Sequence, residues 1–209
     1  MTITVETSTR AFSVALFDLS EIASFSLQSQ HASSQHLVDV VNFILNKLKV
    51  SIHSIKEAFA GIGPGSFTGV RIGLSFVNTL FQTLNIPILG VSSLDILAFK
   101  GGRGYNSVIP FIKSRRDEAY TAFYRDGQRQ SDYRVLSSGE LLQFIEERNP
   151  RRVIASEEDF SDILGESSLK QGDLVRFEYP DARSLYELVR NCGLKAEFRY
   201  LRPLYLRCL

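Results

Sequence analysis

The chain has 209 residues, 44% hydrophobic and 22% charged, with 24 basic and 23 acidic side chains. That composition excludes collagen-like, disordered and coiled-coil classes. A net charge of +1 excludes a nucleic-acid binder that works by bulk electrostatics, but not a local basic patch.

Three short strands open the chain: Thr2 to Ser8, Phe12 to Asp18 and Ile22 to Gln28. Their tight connections require antiparallel neighbours. A helix is expected from about Ser33 to Lys49, where Leu37, Val40, Val41, Ile44, Leu45 and Leu48 recur at helical spacing. A short apolar strand, Ala58 to Ile62, leads into the turn Gly63-Pro64-Gly65-Ser66 and a helix from about Thr68 to Leu84. Ile86 to Val91 is another buried strand, and Ser93 caps a helix over Leu94 to Phe99. Gly101-Gly102-Arg103-Gly104 is the clearest linker.

The order then repeats. Ser107 to Ile112, Ala119 to Tyr124 and Tyr133 to Leu136 read as strands, and Ser138 caps a helix over Glu140 to Arg148. Arg152 to Ala155 is a strand, Phe160 to Leu164 a short helix and Leu174 to Phe177 a strand. A helix over Asp181 to Asn191 closes near Gly193. A three-strand meander followed by βα units, present twice, predicts an α/β fold of two duplicated RNase H-like lobes, residues 1–100 and 105–209.

Other chemistry is sparse. Cys192 and Cys208 are too few for a disulfide framework or zinc site and read as reduced cytosolic thiols. His31, His36 and His53 are too few for His-rich metal chemistry, so no metal is expected. The N-terminus alternates like a strand and lacks the basic and apolar regions of a secretory leader. Residues 72–94 carry no charge, yet Ser75, Asn78, Gln82 and Pro87 argue for burial rather than a membrane span.

The segment from Gly61 to Leu74 is the most informative. A strand, a glycine turn and a helix start converge unpaired N–H groups with the positive end of a helix dipole, which favours anions. Gly63, Gly65, Ser66 and Thr68 are therefore candidates for a vestigial phosphate loop. The P-loop lysine is missing, and Thr68 stands where a dinucleotide fingerprint needs glycine. The competing reading is structural: Pro64 and Gly65 make a tight turn, while Gly69 and Gly73 let another element come close. The helix that follows is apolar over a wide arc, with Arg71 its only charge, and it needs a second partner besides one sheet face. That partner is either another subunit or a segment of the second half. The subunit reading places an interface on Leu37, Val41, Ile44, Leu48, Val70, Gly73, Leu74, Val77 and Phe81.

The stretch from Gly63 to Leu74 resembles the hallmark segment of the bacterial TsaB (YeaZ) family. Glu6-Thr7-Ser8-Thr9, Ser34-Gln35-His36-Leu37, Ile86-Pro87 with Gly90 to Leu94, Arg115 to Tyr120 and Pro203 to Arg207 resemble its other conserved stretches, in order. The resemblance implies an actin-like, sugar-kinase-like (ASKHA) fold and a cytoplasmic protein required for threonylcarbamoylation of the adenosine next to the anticodon, in tRNAs reading codons that begin with A. It implies pairing with a catalytic paralogue, TsaD, through the two helices of the N-terminal lobe, and assembly with the ATPase TsaE. Homodimerisation of the isolated chain stays open. ATP and metal would be used by those partners, with no cofactor on this chain. TsaD carries metal-binding histidines where this chain has Ser93 and Leu97, and leucine cannot ligate a metal. Glu6 and Lys113 stand where the family usually has Asp. The chain is accordingly expected not to be an enzyme. The alternative is an independent ATP-binding kinase or hydrolase of the same fold. Arg199, Arg202 and Arg207, interleaved with Tyr200 and Tyr205, are candidates for tRNA contact, as are Arg115-Arg116 and Arg148 with Arg151-Arg152.

Overall fold

The computed structural model describes residues 1–28, 36–165 and 174–206. His31, Arg207, Cys208 and the expected start of the first helix lie outside them. The elements are β1 Thr2–Glu6, β2 Ala11–Phe17, β3 Glu21–Gln28, α1 Leu37–Leu48, β4 Glu57–Gly61, α2 Phe67–Leu84 and β5 Ile88–Val91. They continue as α3 Ser93–Gly101, β6 Ser107–Lys113, β7 Glu118–Thr121, β8 Tyr124–Arg125, β9 Gln128–Arg129, β10 Arg134–Ser137, α4 Ser138–Arg148, β11 Arg152–Ala155, α5 Glu157–Leu164, β12 Val175–Phe177 and α6 Ala182–Asn191.

The first sheet has the order β3-β2-β1-β4-β5. Its meander is antiparallel, whereas β1, β4 and β5 run parallel. The second sheet repeats the plan as β10-β7-β6-β11-β12, again antiparallel in its meander and parallel beyond. The duplicated architecture predicted from the strand and helix pattern is therefore present.

Alternation along the strands explains the layers of the first sheet. Ile3 and Val5 of β1, with Phe12, Val14 and Leu16 of β2, share a core with α1 and α2 residues. The opposite face carries Thr4, Ser13, Ala15 and Phe17. Thr4 Oγ1 donates to the Ala182 carbonyl at 2.9 Å, and Ser13 Oγ accepts from Ala182 N–H at 2.8 Å. Phe17 stacks on Tyr186 with centroids 3.7 Å apart. α6 therefore covers the second face of the first sheet.

This corrects the expected boundary. One unit is Met1–Ser93 together with Pro180–Leu204, and the other is built from Leu94–Tyr179. The glycine linker lies inside the second unit, where a Cβ on Gly101 would meet Ile154 at 2.6 Å. The reason is the strongly amphipathic α6, whose buried Leu185 and Val189 need a sheet face that the N-terminal elements leave bare.

Two local expectations also shift. The N-cap of α4 is Ser137, not Ser138, because Ser137 and Glu140 form a reciprocal capping box. The strand expected over 119–124 is broken, and β8 and β9 form a separate hairpin. Asp126 and Gly127 turn it, both at positive φ, a pairing that the Asp-Gly dipeptide signals in sequence. No helix among the described residues is long and apolar enough to cross a membrane.

Candidate functional site

The glycine segment folds around the turn after β1. Ser66 N-caps α2 and accepts from Gly69 N–H, while Ser66 N–H donates to the Ser8 carbonyl at 2.6 Å. Thr7 Oγ1 donates to the Gly69 carbonyl at 2.7 Å. A Cβ on Gly69 would lie 2.0 Å from the Thr7 carbonyl oxygen, and one on Gly65, at φ +155°, 2.1 Å from that of Ser8. Gly73 is equally tight against Thr7 Oγ1. The chain's own backbone thus comes close to the turn at Ser8 and to the side of α2 at Thr7. These contacts give Gly65, Gly69 and Gly73 a structural reason to lack a side chain.

Glu6 lies beside this turn, 0% exposed. Its Oε1 accepts from Ser8 N–H at 2.6 Å and its Oε2 from Ser93 Oγ at 3.0 Å. Burial pushes its pKa above the ordinary value of 4.5, and the nearby Asp181 adds to the rise, against the lowering effect of the hydrogen bonds. This carboxyl is walled in and held by donors, and it presents no face to a metal or phosphate.

The stretch from Ser93 to Leu97 is also inside the fold. Ser93 is committed to Glu6, and Leu97, 1% exposed, packs among Ala98, Val108 and Ile154. Asp95 accepts from Tyr124 OH at 2.5 Å and from Tyr133 OH at 2.9 Å. Burial, and after it the Asp95 carboxylate, hold the Tyr124 hydroxyl far above the usual phenol range. The tyrosine pair was not legible from Asp95 alone, since its partners lie about thirty and forty residues away. Lys113 pairs with Asp162, and its N–H donates to Asp159 at 3.0 Å. Among the described residues no group of three or more His, Cys, Asp or Glu is placed to hold a metal.

The expected interface residues are mostly in the core. Leu37, Val41, Ile44, Val70, Gly73, Leu74 and Val77 are buried, and Val77 is 0% exposed. Leu48 and Phe81 are half-buried against the same cluster. The seven buried positions lie on the face that α1 and α2 turn to their own sheet, and of the nine only Leu48 and Phe81 keep some exposed surface. What the two helices present outward is Val38, 53% exposed, Phe43, 59% exposed, and Phe67, over which Arg71 stacks at 3.7 Å.

Part of the second cover for α2 comes from the chain itself. After α6 the backbone bridges to β5 through Ile88 and Glu197. Buried Asn78 of α2 then holds Leu201 by both backbone groups, donating to its carbonyl at 3.0 Å and accepting from its N–H at 2.9 Å. Arg199 and Arg202 are exposed on this docked arm, and Arg199 pairs with Glu197 at 3.3 Å. Asn78→Ala leaves two backbone groups without partners, so a loss of about 2–3 kcal/mol is expected. Chemical denaturation reads the loss, and limited proteolysis should cut first between residues 194 and 204.

Two sheets of one order, each a meander followed by parallel βα units, make this an ASKHA-fold protein. A family model described as TsaD, tRNA N6-adenosine threonylcarbamoyltransferase, matches residues 26–205. The proteins named tRNA threonylcarbamoyladenosine biosynthesis protein TsaB from Bacillus subtilis (strain 168) and Escherichia coli (strain K12) are each 33% identical, over 58% of this chain and 53% of their own length. The matched stretch therefore spans about half the length of these curated relatives. The structure of YeaZ from Pseudomonas aeruginosa is 27% identical with a TM-score of 0.76, covering 98% of this chain and 99% of that one. A second Pseudomonas aeruginosa structure, of a protein described as similar to peptidase YEAZ, is 26% identical with a TM-score of 0.80, covering 99% of both chains. The chain belongs to this family, in its TsaB (YeaZ) branch.

Proposed function

We propose that this chain serves in the formation of threonylcarbamoyladenosine in tRNA as a non-catalytic subunit that supports a TsaD-like catalytic paralogue, with a TsaE-like ATPase in the same cytoplasmic assembly. The names of its relatives support the pathway. One observation carries the non-catalytic role: Ser93 and Leu97, which the family resemblance places where the paralogue has metal ligands, are taken up by Glu6 and by the core. Reconstitution of tRNA modification with purified TsaD-like and TsaE-like proteins tests the reading. Product should form only when this chain is added, and this chain alone should form none.

The partner surface is assigned to the outward side of α1 and α2. Val38→Glu together with Phe43→Asp should abolish co-purification with the paralogue while leaving the melting temperature within a few degrees, because both side chains are solvent-exposed. Val77→Glu would instead bury an unpaired charge and unfold the chain. Pairing that survives the Val38/Phe43 double change would move the interface elsewhere. The competing reading, an independent ATP-using kinase or hydrolase, requires ATP turnover by the isolated chain that Glu6→Ala abolishes. The enclosed Glu6 speaks against it.

A further inference from the structure

Four arginines of the second unit gather round aromatic rings. Arg125 and Arg148 lie over Phe123, 5.5 and 5.6 Å from its centroid, and Arg148 and Arg134 both lie 5.5 Å from that of Phe144. Phe123 and Phe144 are only 3% and 4% exposed, so the guanidinium groups form the outer layer above them. Arg129 joins the group through Ser131: its Nη1 donates to the Ser131 carbonyl at 2.9 Å, and Ser131 Oγ accepts from Phe123 N–H at 2.9 Å. Arg129 itself stacks on Tyr133 at 4.1 Å. Two arginines that share a ring can be no further apart than twice their distance from its centre. Three separate elements converge here: the β8–β9 hairpin with Arg125 and Arg129, the start of β10 with Arg134, and the last turn of α4 with Arg148.

Direct ion-pair partners are missing here among the described residues, although Asp95 is bonded to the hydroxyl of Tyr133, the ring on which Arg129 stacks. Arg176, Arg183, Arg190 and Arg199 each have a carboxylate partner. Among the described residues none of Arg125, Arg129, Arg134 and Arg148 has one, although Asp126 sits at the hairpin tip and Asp132 beside Tyr133. The dipole of α4 accounts for Arg148 alone. Clustered cations without direct ion-pair partners draw counter-charge from solution. A guanidinium stacked on a ring keeps its N–H edge free for oxygen anions and loses little further freedom on binding. Several such groups spread over neighbouring elements fit a chain of phosphates better than a single one.

We propose that Arg125, Arg129, Arg134 and Arg148 form a docking patch for the phosphodiester backbone of tRNA. The choice of RNA over an acidic protein rests on the proposed function, in which tRNA is the substrate of the assembly. The test uses the full chain alone and an unmodified tRNA transcript, with binding measured between about 50 and 200 mM salt. The triple variant Arg125→Gln, Arg134→Gln, Arg148→Gln keeps side chains over the rings and removes the charges. Its affinity should fall at least tenfold, and its log–log salt slope should flatten by about one unit per arginine. Lys49→Gln with Lys195→Gln, both in the first unit, should leave both unchanged. The proposal is overturned if the wild-type chain fails to bind tRNA, if a triple variant with an unaltered melting temperature keeps affinity and slope, or if an acidic polypeptide displaces tRNA at equal charge concentration. Binding is read without catalysis, so the outcomes separate. Loss of this proposal with an intact requirement in reconstitution leaves the proposed function standing. Salt-dependent binding by a chain that reconstitution does not need does the reverse.

Discussion

Gly69→Val is expected to yield no folded protein, and Gly69→Ala to lose at least about 3 kcal/mol. A Cβ at this position would stand 2.0 Å from a backbone oxygen, that of Thr7, which cannot rotate aside. The Thr7–Ser8 turn is fixed from three sides: by the Ser66 N–H on the Ser8 carbonyl, by Thr7 Oγ1 on the Gly69 carbonyl, and by Glu6 on Ser8 N–H. Relief would need α2 to move off the sheet, opening the core around Val70, Leu74 and Val77. Gly139→Ala is a matched control, since no atom lies within 4 Å of a Cβ there, in the first turn of α4. It should be neutral or stabilising by up to about 1 kcal/mol. Thermal melts of the two alanine variants decide the matter. A Gly69→Ala protein melting within a few degrees of wild type would show that the turn is not rigid.

Glu6→Ala should be nearly as damaging. It opens a cavity and strips Ser8 N–H and Ser93 Oγ of their acceptor, at a cost of about 3–5 kcal/mol. Glu6→Gln separates shape from charge. Because burial raises the folded pKa of Glu6, the unfolded chain gives up this proton at lower pH than the native one. Below the ordinary value of 4.5 both states hold the proton and the group has no effect. As pH rises through the window above 4.5, the unfolded state gains by ionising and native stability falls. The glutamine variant lacks that loss. Its stability relative to wild type should therefore improve as pH rises above 4.5, until the native carboxyl itself ionises. Parallel stability curves for the two proteins would sink the argument.

Much of the fold can be read from periodicity. The meanders, the long helices and the repeat of strand order rest on short turns and on apolar spacing, both of them local signals. What the sequence hides is non-local. Apolar positions such as Val77 and Ile44 look alike whether they meet a sheet of the same chain or another protein, and here they meet their own sheet. Tyr124 and Tyr133 find Asp95 only through the fold. The glycine segment was ambiguous because a phosphate loop and a close backbone approach both need residues without side chains. The close approach of the Thr7 carbonyl to Gly69 appears only in the fold. The arginine patch scatters over residues 125–148, and no linear cluster announces it.

The return of α6 to the first sheet bears on the order of events as the polypeptide emerges from the ribosome. Strands β1, β2 and β4 appear early, but the helix that covers one of their faces begins only at Ala182. Until then Ala15 and Phe17 stay wet on that side. The N-terminal portion must wait, half-clothed, while the entire intervening unit is synthesised and folds. A nascent chain stalled after residue 101 would therefore expose a greasy sheet surface and attract chaperones, whereas release of the last thirty residues would free it from them.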